Sequence, residues 1–200
     1  MATSSNYSKS KFNMAAQSRR QPGSTAKIWG LATLVHEGVN PETTTYVSRP
    51  LRIRYRGASE WWEPKTYDNS YGGSMNVSTA TVRSDNSVYA QIGLDLQPEN
   101  IVKMAHDMGI TSPLQPVWSI ILGSQVVTPL EQTNFYSTIA RGGVRRDPSG
   151  ISRIDGPSGT PIRMQRAKPR RILETWQASE IVSVLTRNIQ YGTGTGANIG

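Results

Sequence analysis

The sequence has no cysteine, two histidines and no apolar run approaching the length of a membrane-spanning helix. The absence of cysteine excludes disulfides, iron–sulfur clusters and thiol catalysis, but it leaves the redox compartment open. The longest apolar runs, such as residues Val117 to Leu122, fall far short of the roughly 20 residues that a bilayer requires. We therefore expect no membrane span in this chain, and any anchor or export signal is expected outside it.

Acidic residues are also scarce, with 14 Asp and Glu against 22 Lys and Arg, which leaves a net charge of +8. Such a charge attracts anionic partners without specifying them. The densest basic clusters, Arg145-Arg146 and the segment from Arg163 to Arg171, are interspersed with Pro and Gly and lack the aromatic side chains on which bases stack. Nucleic-acid binding is therefore not expected.

The two histidines, His36 and His106, both fall in predicted helices and far from any cluster of acidic residues. Metal sites need several ligands that converge, and this sequence offers no such spacing. We predict structural or solvated roles for both histidines, and neither a metal nor an organic cofactor.

The order of elements predicts an α+β fold behind a short lead-in. Residues 1–17 are rich in Ser, Asn and Lys, which predicts a flexible segment, so the folded unit is expected over residues 18–200. Hydrophobic spacing, Pro and Gly predict the regular elements. These are helices over residues 24–38, 76–82, 88–93, 98–108, 129–140 and 175–189, strands over residues 44–47 and 51–55, and a hairpin pairing residues 144–154 with 162–166.

The segment Ser24-Thr25-Ala26-Lys27 places a hydroxyl and an amine three residues apart at the start of a predicted helix. That spacing brings both side chains onto one helix face, where the amine could serve as the base that activates the serine. The helix N-terminus also favours negative charge on Ser24. The same tetrad could equally be a capping serine followed by a solvated lysine, and alone it does not distinguish the two readings.

A second polar group, Ser84-Asp85-Asn86, lies sixty residues later between two short predicted helices. Ser-x-x-Lys together with Ser-Asp-Asn is part of a known signature of penicillin-recognising enzymes. The middle residue, Asp85, is interpreted as a loop carboxylate that binds nearby backbone N–H groups.

Around these motifs the chain resembles the transpeptidase domain of bifunctional (class A) penicillin-binding proteins, in the serine β-lactamase and D,D-peptidase superfamily. The resemblance runs from about residue 10 to the end. It is carried by segments in matching order, among them Arg20-Gln21-Pro22-Gly23-Ser24, Arg83-Ser84-Asp85-Asn86, Leu122-Gly123-Ser124, Thr128-Pro129-Leu130-Glu131 and Tyr191-Gly192-Thr193-Gly194.

The resemblance implies a role for each of the four site residues. Ser24 would be acylated by the penultimate D-alanine of a peptidoglycan stem peptide, and Lys27 would take its proton. Ser84 would relay a proton to the leaving D-alanine, and Asn86 would hold the substrate amide. An amine of a second stem peptide would then form the crosslink, while β-lactams would leave Ser24 acylated. Such an enzyme works outside the cytoplasmic membrane.

The resemblance is incomplete, because the Lys-Thr-Gly motif of the family does not occur in this sequence. In the family that motif lies on a strand shortly after the segment matching Gly192-Thr193-Gly194. We therefore expect a partial domain, mostly its helical part, that lacks several sheet strands and ends before this one. Two alternatives stay open, namely a non-catalytic β-lactam-binding module and a hydrolase of the carboxypeptidase or β-lactamase type. The β-lactamase form of the second alternative is weakened, because it needs a carboxylate that activates water and Glu131 fits the first turn of a helix instead.

Overall fold

The computed structural model of the chain describes residues 8, 10–54 and 59–199. Part of the predicted lead-in and the last residue of the strand predicted over 51–55 lie outside these ranges. The described residues form a helix-rich α+β fold, as predicted. Its helices are α1 Lys27–His36, α2 Val77–Arg83, α3 Asn86–Leu96, α4 Pro98–Asp107, α5 Pro129–Ala140 and α6 Thr175–Tyr191, and its strands are β1 Thr45–Ser48, β2 Ile53–Arg54, β3 Trp61–Trp62, β4 Gly73–Asn76, β5 Val144–Arg145 and β6 Arg170–Arg171.

Helix α1 is the centre of the core. Every residue from Lys27 to Val35 is buried, because α3, α4, α6 and a 3₁₀ turn over Trp118–Leu122 surround the helix. A helix enclosed on all sides buries its polar face as well as its apolar one. Two glycines, Gly30 and Gly93, admit Ile121 between α1 and α3, since an added Cβ on either would press against that side chain.

The helix boundaries follow local sequence signals. Helix α5 begins with Thr128 and Glu131 in a reciprocal capping box and with Pro129 at its first position. Helix α2 begins at the cap Asn76, whose side chain accepts a hydrogen bond from the N–H of Thr79. Helix α6 continues to Tyr191, two residues beyond its predicted end.

The strands of the described residues form three separate antiparallel pairs, β1 with β4, β2 with β3, and β5 with β6. The predicted pairing of residues 144–154 with 162–166 is wrong for most of its length. Val144 pairs instead with Arg171, and between β5 and β6 the chain makes one isolated bridge, from Asp155 to Pro161. The alternation of residue types predicted extended chain correctly, but it could not identify which segments would meet.

Within the part of the chain that the structure describes, no helix has the length and apolar character needed to cross a membrane. The same residues contain no group of three or more side chains arranged to hold a metal ion. The Nδ1–H of His106 donates a hydrogen bond to the carbonyl of Ile110 at 2.9 Å, which is a structural role.

Candidate active site

Ser24 lies in a 3₁₀ turn over Gly23–Ala26 that leads directly into α1. A strand-like contact holds the chain before it, where Arg20 and Val127 exchange backbone hydrogen bonds of 3.0 Å. Gly123 adopts φ +79°, and its Cα packs against Gly23 so closely that an added Cβ would lie 2.5 Å from the amide nitrogen of Gly23 and closer still to its carbonyl oxygen. This approach presents Ser24 on an exposed turn while its neighbour Lys27 is buried.

Helix α5 supports the same turn from the other side. The amide of Gln132 donates to the carbonyl of Thr25 at 2.9 Å and accepts from the indole N–H of Trp29 at 3.1 Å. The hydroxyl of Tyr136 also donates to the Thr25 carbonyl, at 3.3 Å. The backbone beside Ser24 is thus fixed by side chains that the sequence does not mark as functional.

The predicted polar tripeptide lies where α2 ends and α3 begins. Ser84 closes α2 in the left-handed conformation, at φ 54° and ψ 42°, which is uncommon for a residue with a side chain and concentrates at functional sites. Asp85 is the N-cap of α3 and accepts from the N–H of Val88 at 2.9 Å and from the hydroxyl of Ser48 at 2.6 Å. This confirms the interpretation of Asp85 as a local backbone acceptor. Asn86 is the first residue of α3, and its amide donates to the carbonyl of Lys65 at 2.7 Å.

The amine of Lys27 joins the two motifs. Its Nζ lies 3.2 Å from the Oγ of Ser24, 2.8 Å from the Oγ of Ser84 and 2.6 Å from the Oδ1 of Asn86. It also lies 2.6 Å from the carbonyl oxygen of Ser84. An ammonium group has only three hydrogens to donate to these four oxygens. The contact to Ser24 is the longest of the four, and it is the one in which a neutral amine could instead accept a hydrogen bond from the serine hydroxyl. The structure therefore brings all four predicted site residues into one cluster.

Burial makes this amine easier to deprotonate. The side chain is 3% exposed, and desolvation lowers the pKa of Lys27 from its usual 10.5 to about 8, although the negative charge of Asp85 opposes that change. At pH 7 a group with a pKa of about 8 is neutral in roughly one molecule in ten. A buried, partly neutral amine in contact with a serine hydroxyl is the arrangement required of a general base.

The cluster opens into a cleft of about 210 Å³ lined by Ser24, Lys27, Ser84 and further residues of α2, α5 and α6. Sequence reasoning did not single out Asn188, which lines the cleft together with Thr193 of the Tyr191-Gly192-Thr193-Gly194 segment. Asn188 donates to the carbonyl of Val82 at 3.1 Å and to the hydroxyl of Thr193 at 3.2 Å, so it ties the end of α6 to the end of α2. The sequence signal that could have identified Asn188 is its polar side chain in a periodic helix, four positions before Gly192.

Glu131 is fully occupied away from this cleft. Its carboxylate accepts from backbone and hydroxyl groups of Thr111, Ser112 and Thr128, at distances from 2.6 to 3.0 Å. Burial alone would raise its pKa, but these hydrogen bonds outweigh burial and lower the pKa to about 2. Among the described residues that line the cleft, none is a carboxylate.

The fold is shared with solved penicillin-binding proteins. The structure of penicillin-binding protein 1A from Haemophilus influenzae superposes with a TM-score of 0.84 over 95% of this chain and 34% of that chain, at 21% identity. The imipenem acyl-enzyme complex of penicillin-binding protein A from M. tuberculosis gives 0.79 over 98% of this chain and 50% of that one, at 22% identity. Both likenesses establish a penicillin-binding protein transpeptidase fold.

Sequence comparison agrees with the fold. The family model described as the penicillin binding protein transpeptidase domain matches residues 1–199. Penicillin-binding protein 2D of Bacillus subtilis is 29% identical over 90% of the chain, and penicillin-binding protein 1A of Rickettsia bellii is 32% identical over 76%. The chain belongs to the penicillin-binding protein transpeptidase family. It spans 26% and 19%, respectively, of the lengths of these two relatives.

Proposed function

We propose that the chain carries the nucleophilic side of a serine D,D-transpeptidase site that crosslinks peptidoglycan stem peptides. The observation that supports this most directly is the single amine of Lys27 within hydrogen-bonding distance of Ser24, Ser84 and Asn86. A lysine with a lowered pKa that contacts two serine hydroxyls in a cleft is more typical of a functional site than of a structural one.

In the proposed acylation step the Oγ of Ser24 attacks the carbonyl carbon of the penultimate D-alanine. The hydroxyl proton passes to the neutral amine of Lys27, 3.2 Å away, and the carbonyl oxygen takes the developing negative charge. When the C–N bond breaks, the leaving D-alanine nitrogen receives a proton from the Oγ of Ser84, which is restored from Lys27 across 2.8 Å. The products are free D-alanine and an ester on Ser24.

In the proposed second step an amine of another stem peptide attacks this ester. Its proton returns through the same two groups, Ser84 and Lys27, and Ser24 leaves as a hydroxyl. Asn86 is suited to orient the donor peptide, because its Oδ1 is held by Lys27 and its amide nitrogen by the carbonyl of Lys65. The side chain is therefore held in one orientation beside Lys27 before substrate arrives.

The β-lactamase alternative has less support. It would need a free carboxylate in the cleft to activate water, but Glu131 is occupied by its own capping hydrogen bonds and the described cleft residues include no acid. The proposed partners are stem peptides and β-lactams, which imitate them. The proposed location is outside the cytoplasmic membrane, where stem peptides are joined. No cofactor is invoked in either step.

The test is labelling with a fluorescent penicillin, applied to this chain and to a version extended past Gly200 into the Lys-Thr-Gly strand that the family resemblance places there. We expect covalent label on Ser24 in the extended protein. Ser24→Ala should remove the label, which separates acylation from adsorption, and Lys27→Met should slow labelling by a factor of about 10² to 10⁴. An extended, folded protein without label at Ser24 contradicts the proposal. Release of label by water faster than its transfer to an amine would favour the hydrolase.

A further inference from the structure

The segment between β5 and β6, residues 146–169, is called here the basic hairpin. None of its residues is buried, and all but Gly156 and Met164 are exposed. It therefore contributes nothing to the hydrophobic core. Loops of this length without core contacts are uncommon in compact domains, and binding sites are disproportionately found on loops.

Most of the charge of the protein is concentrated here. Residues 145–171, the basic hairpin with its two flanking strands, hold eight of the 22 Lys and Arg residues but only two of the 14 Asp and Glu residues, so they carry +6 of the net charge of +8. Within the described part of the chain, Arg146, Arg163 and Lys168 have no acidic partner in an ion pair. These three cations are available to an anionic surface.

The tip of the basic hairpin has two chemically different faces. The bridge between Asp155 and Pro161 and the hydrogen bond from the N–H of Ile162 to the carbonyl of Ile154, at 2.8 Å, place these two isoleucines opposite each other. Side chains alternate along extended chain, so Ile154 and Ile162 share one face and Arg153 and Arg163 the other. The two isoleucines are 39% and 53% exposed, and Ile151 nearby is 54% exposed.

We propose that the basic hairpin docks onto the surface of an anionic lipid bilayer. Arginine and lysine attract acidic headgroups, and the two isoleucines enter the interface between headgroups and acyl chains. An acidic soluble polymer would be bound by the cations alone and would leave the isoleucines exposed to water. The exposed isoleucines at the tip lie on the same segment as three cations that have no acidic partner among the described residues, Arg163 at the tip and Arg146 and Lys168 near the two ends, and this combination favours lipid. This inference is independent of the chemistry at Ser24.

The first experiment measures binding of the full chain to phosphatidylcholine vesicles with and without phosphatidylglycerol. We expect binding only to the vesicles with phosphatidylglycerol, and weaker binding as salt is raised, because added ions screen the attraction. Equal binding to both kinds of vesicle overturns the proposal. So does tighter capture by polyglutamate than by vesicles, which would identify an acidic polypeptide as the partner.

Matched variants separate the basic hairpin from general charge. Replacing Arg146, Arg163 and Lys168 together by Gln should weaken vesicle binding by about fivefold for each charge. Replacing Arg19, Arg49 and Arg141 by Gln removes the same charge from exposed positions outside the basic hairpin, and we expect a loss of less than about twofold. Equal losses in the two triple variants contradict a specific docking site.

The isoleucines are tested by the double variant Ile154→Ser and Ile162→Ser, which keeps every charge. We expect binding to fall by about tenfold, because the interfacial contribution scales with buried apolar area. Unchanged binding overturns the insertion. Because the chain has no cysteine, Ile154→Cys can also carry a single environment-sensitive dye, and a blue shift with anionic vesicles is expected there but not for the same dye at Val182→Cys on α6.

Discussion

At the scale of single residues, the central feature is the buried amine of Lys27, which is buried because it lies on the enclosed helix α1. A lysine on an exposed helix face keeps its full charge, whereas this one lies on a helix that every neighbour covers. The desolvated amine is then compensated by the oxygens of Ser24, Ser84 and Asn86, which are also the groups that the proposed reaction uses. Packing and reactivity thus depend on the same contacts.

This dependence predicts the pH profile of acylation. Below a pKa of about 8 the neutral fraction of Lys27 falls about tenfold per pH unit, so we expect the rate of penicillin labelling to rise with pH and level off near pH 8. Asp85 raises the pKa of Lys27, and removing that charge with Asp85→Asn should move the rising limb to lower pH. Asparagine keeps the acceptor for the N–H of Val88, so α3 should stay capped.

The control for Asp85→Asn is Ser48→Ala. It removes the hydrogen bond to Asp85 but leaves the carboxylate, so the limb should keep its position. If both variants leave the limb unmoved, Asp85 acts only through the shape of the turn. Stopped-flow labelling between pH 5 and pH 10 would distinguish these outcomes.

At the scale of elements, the turn that carries Ser24 is positioned by contacts from distant segments. Helix α5 holds it through Gln132, and the chain after the Trp118–Leu122 turn holds it through Gly123. Both contacts join residues about one hundred positions apart. The position of the turn in the fold is therefore set by tertiary contacts and not by its own sequence alone.

The glycine contact gives a prediction with a matched control. Gly123→Ala places a Cβ against the backbone of Gly23, which cannot move aside as a side chain could, and it does so at φ +79°. Gly159→Ala shares the positive φ, at +76°, but meets nothing within 4 Å. We expect the control to lose about 1 kcal/mol of unfolding free energy and Gly123→Ala to lose clearly more, together with penicillin labelling.

Urea denaturation and labelling of the two alanine variants check this. Equal stability losses would mean that backbone conformation alone matters and that the close approach of the two glycines is relaxed in solution. A stable Gly123→Ala protein with normal labelling would contradict its role in positioning Ser24.

At the scale of the whole molecule, hydrogen bonds to Glu131 connect the loop after α4 to the start of α5. The Glu131 carboxyl has a pKa of about 2 in the folded protein and about 4.5 in the unfolded chain. Between pH 2 and pH 4.5 the folded state therefore binds fewer protons than the unfolded state. The stability that it contributes is therefore complete above about pH 4.5 and is lost as the pH falls toward 2. We expect acid unfolding to begin in this window.

The variant Glu131→Gln tests that contribution. It should be less stable than the parent protein at pH 7, and the difference should shrink as the pH falls toward 2, because protonation then weakens the same contacts in the parent. Glu99→Gln provides the control, since Glu99 lies exposed in the first turn of α4. Urea denaturation at a series of pH values checks both, and a difference for Glu131→Gln that does not change with pH would contradict the assignment.

The sequence by itself determined the boundaries of several helices and predicted the four candidate site residues. Proline, glycine and capping side chains fix where helices such as α5 begin and end, because they act on neighbouring backbone groups. Ser24, Lys27, Ser84 and Asn86 were predicted from two short motifs and from family resemblance, and the structure brings them together. That they perform acylation stays a prediction for the labelling experiment.

Only the tertiary structure decided the contacts between distant segments and the environment of each group. It pairs Val144 with Arg171, where the sequence had favoured a local hairpin, and it adds Gln132, Gly123 and Asn188 to the surroundings of Ser24. It also encloses α1 completely and so lowers the pKa of Lys27. Burial and long-range pairing depend on which surfaces of the chain pack together. Residue periodicity indicates the type of an element but not the segment against which it packs.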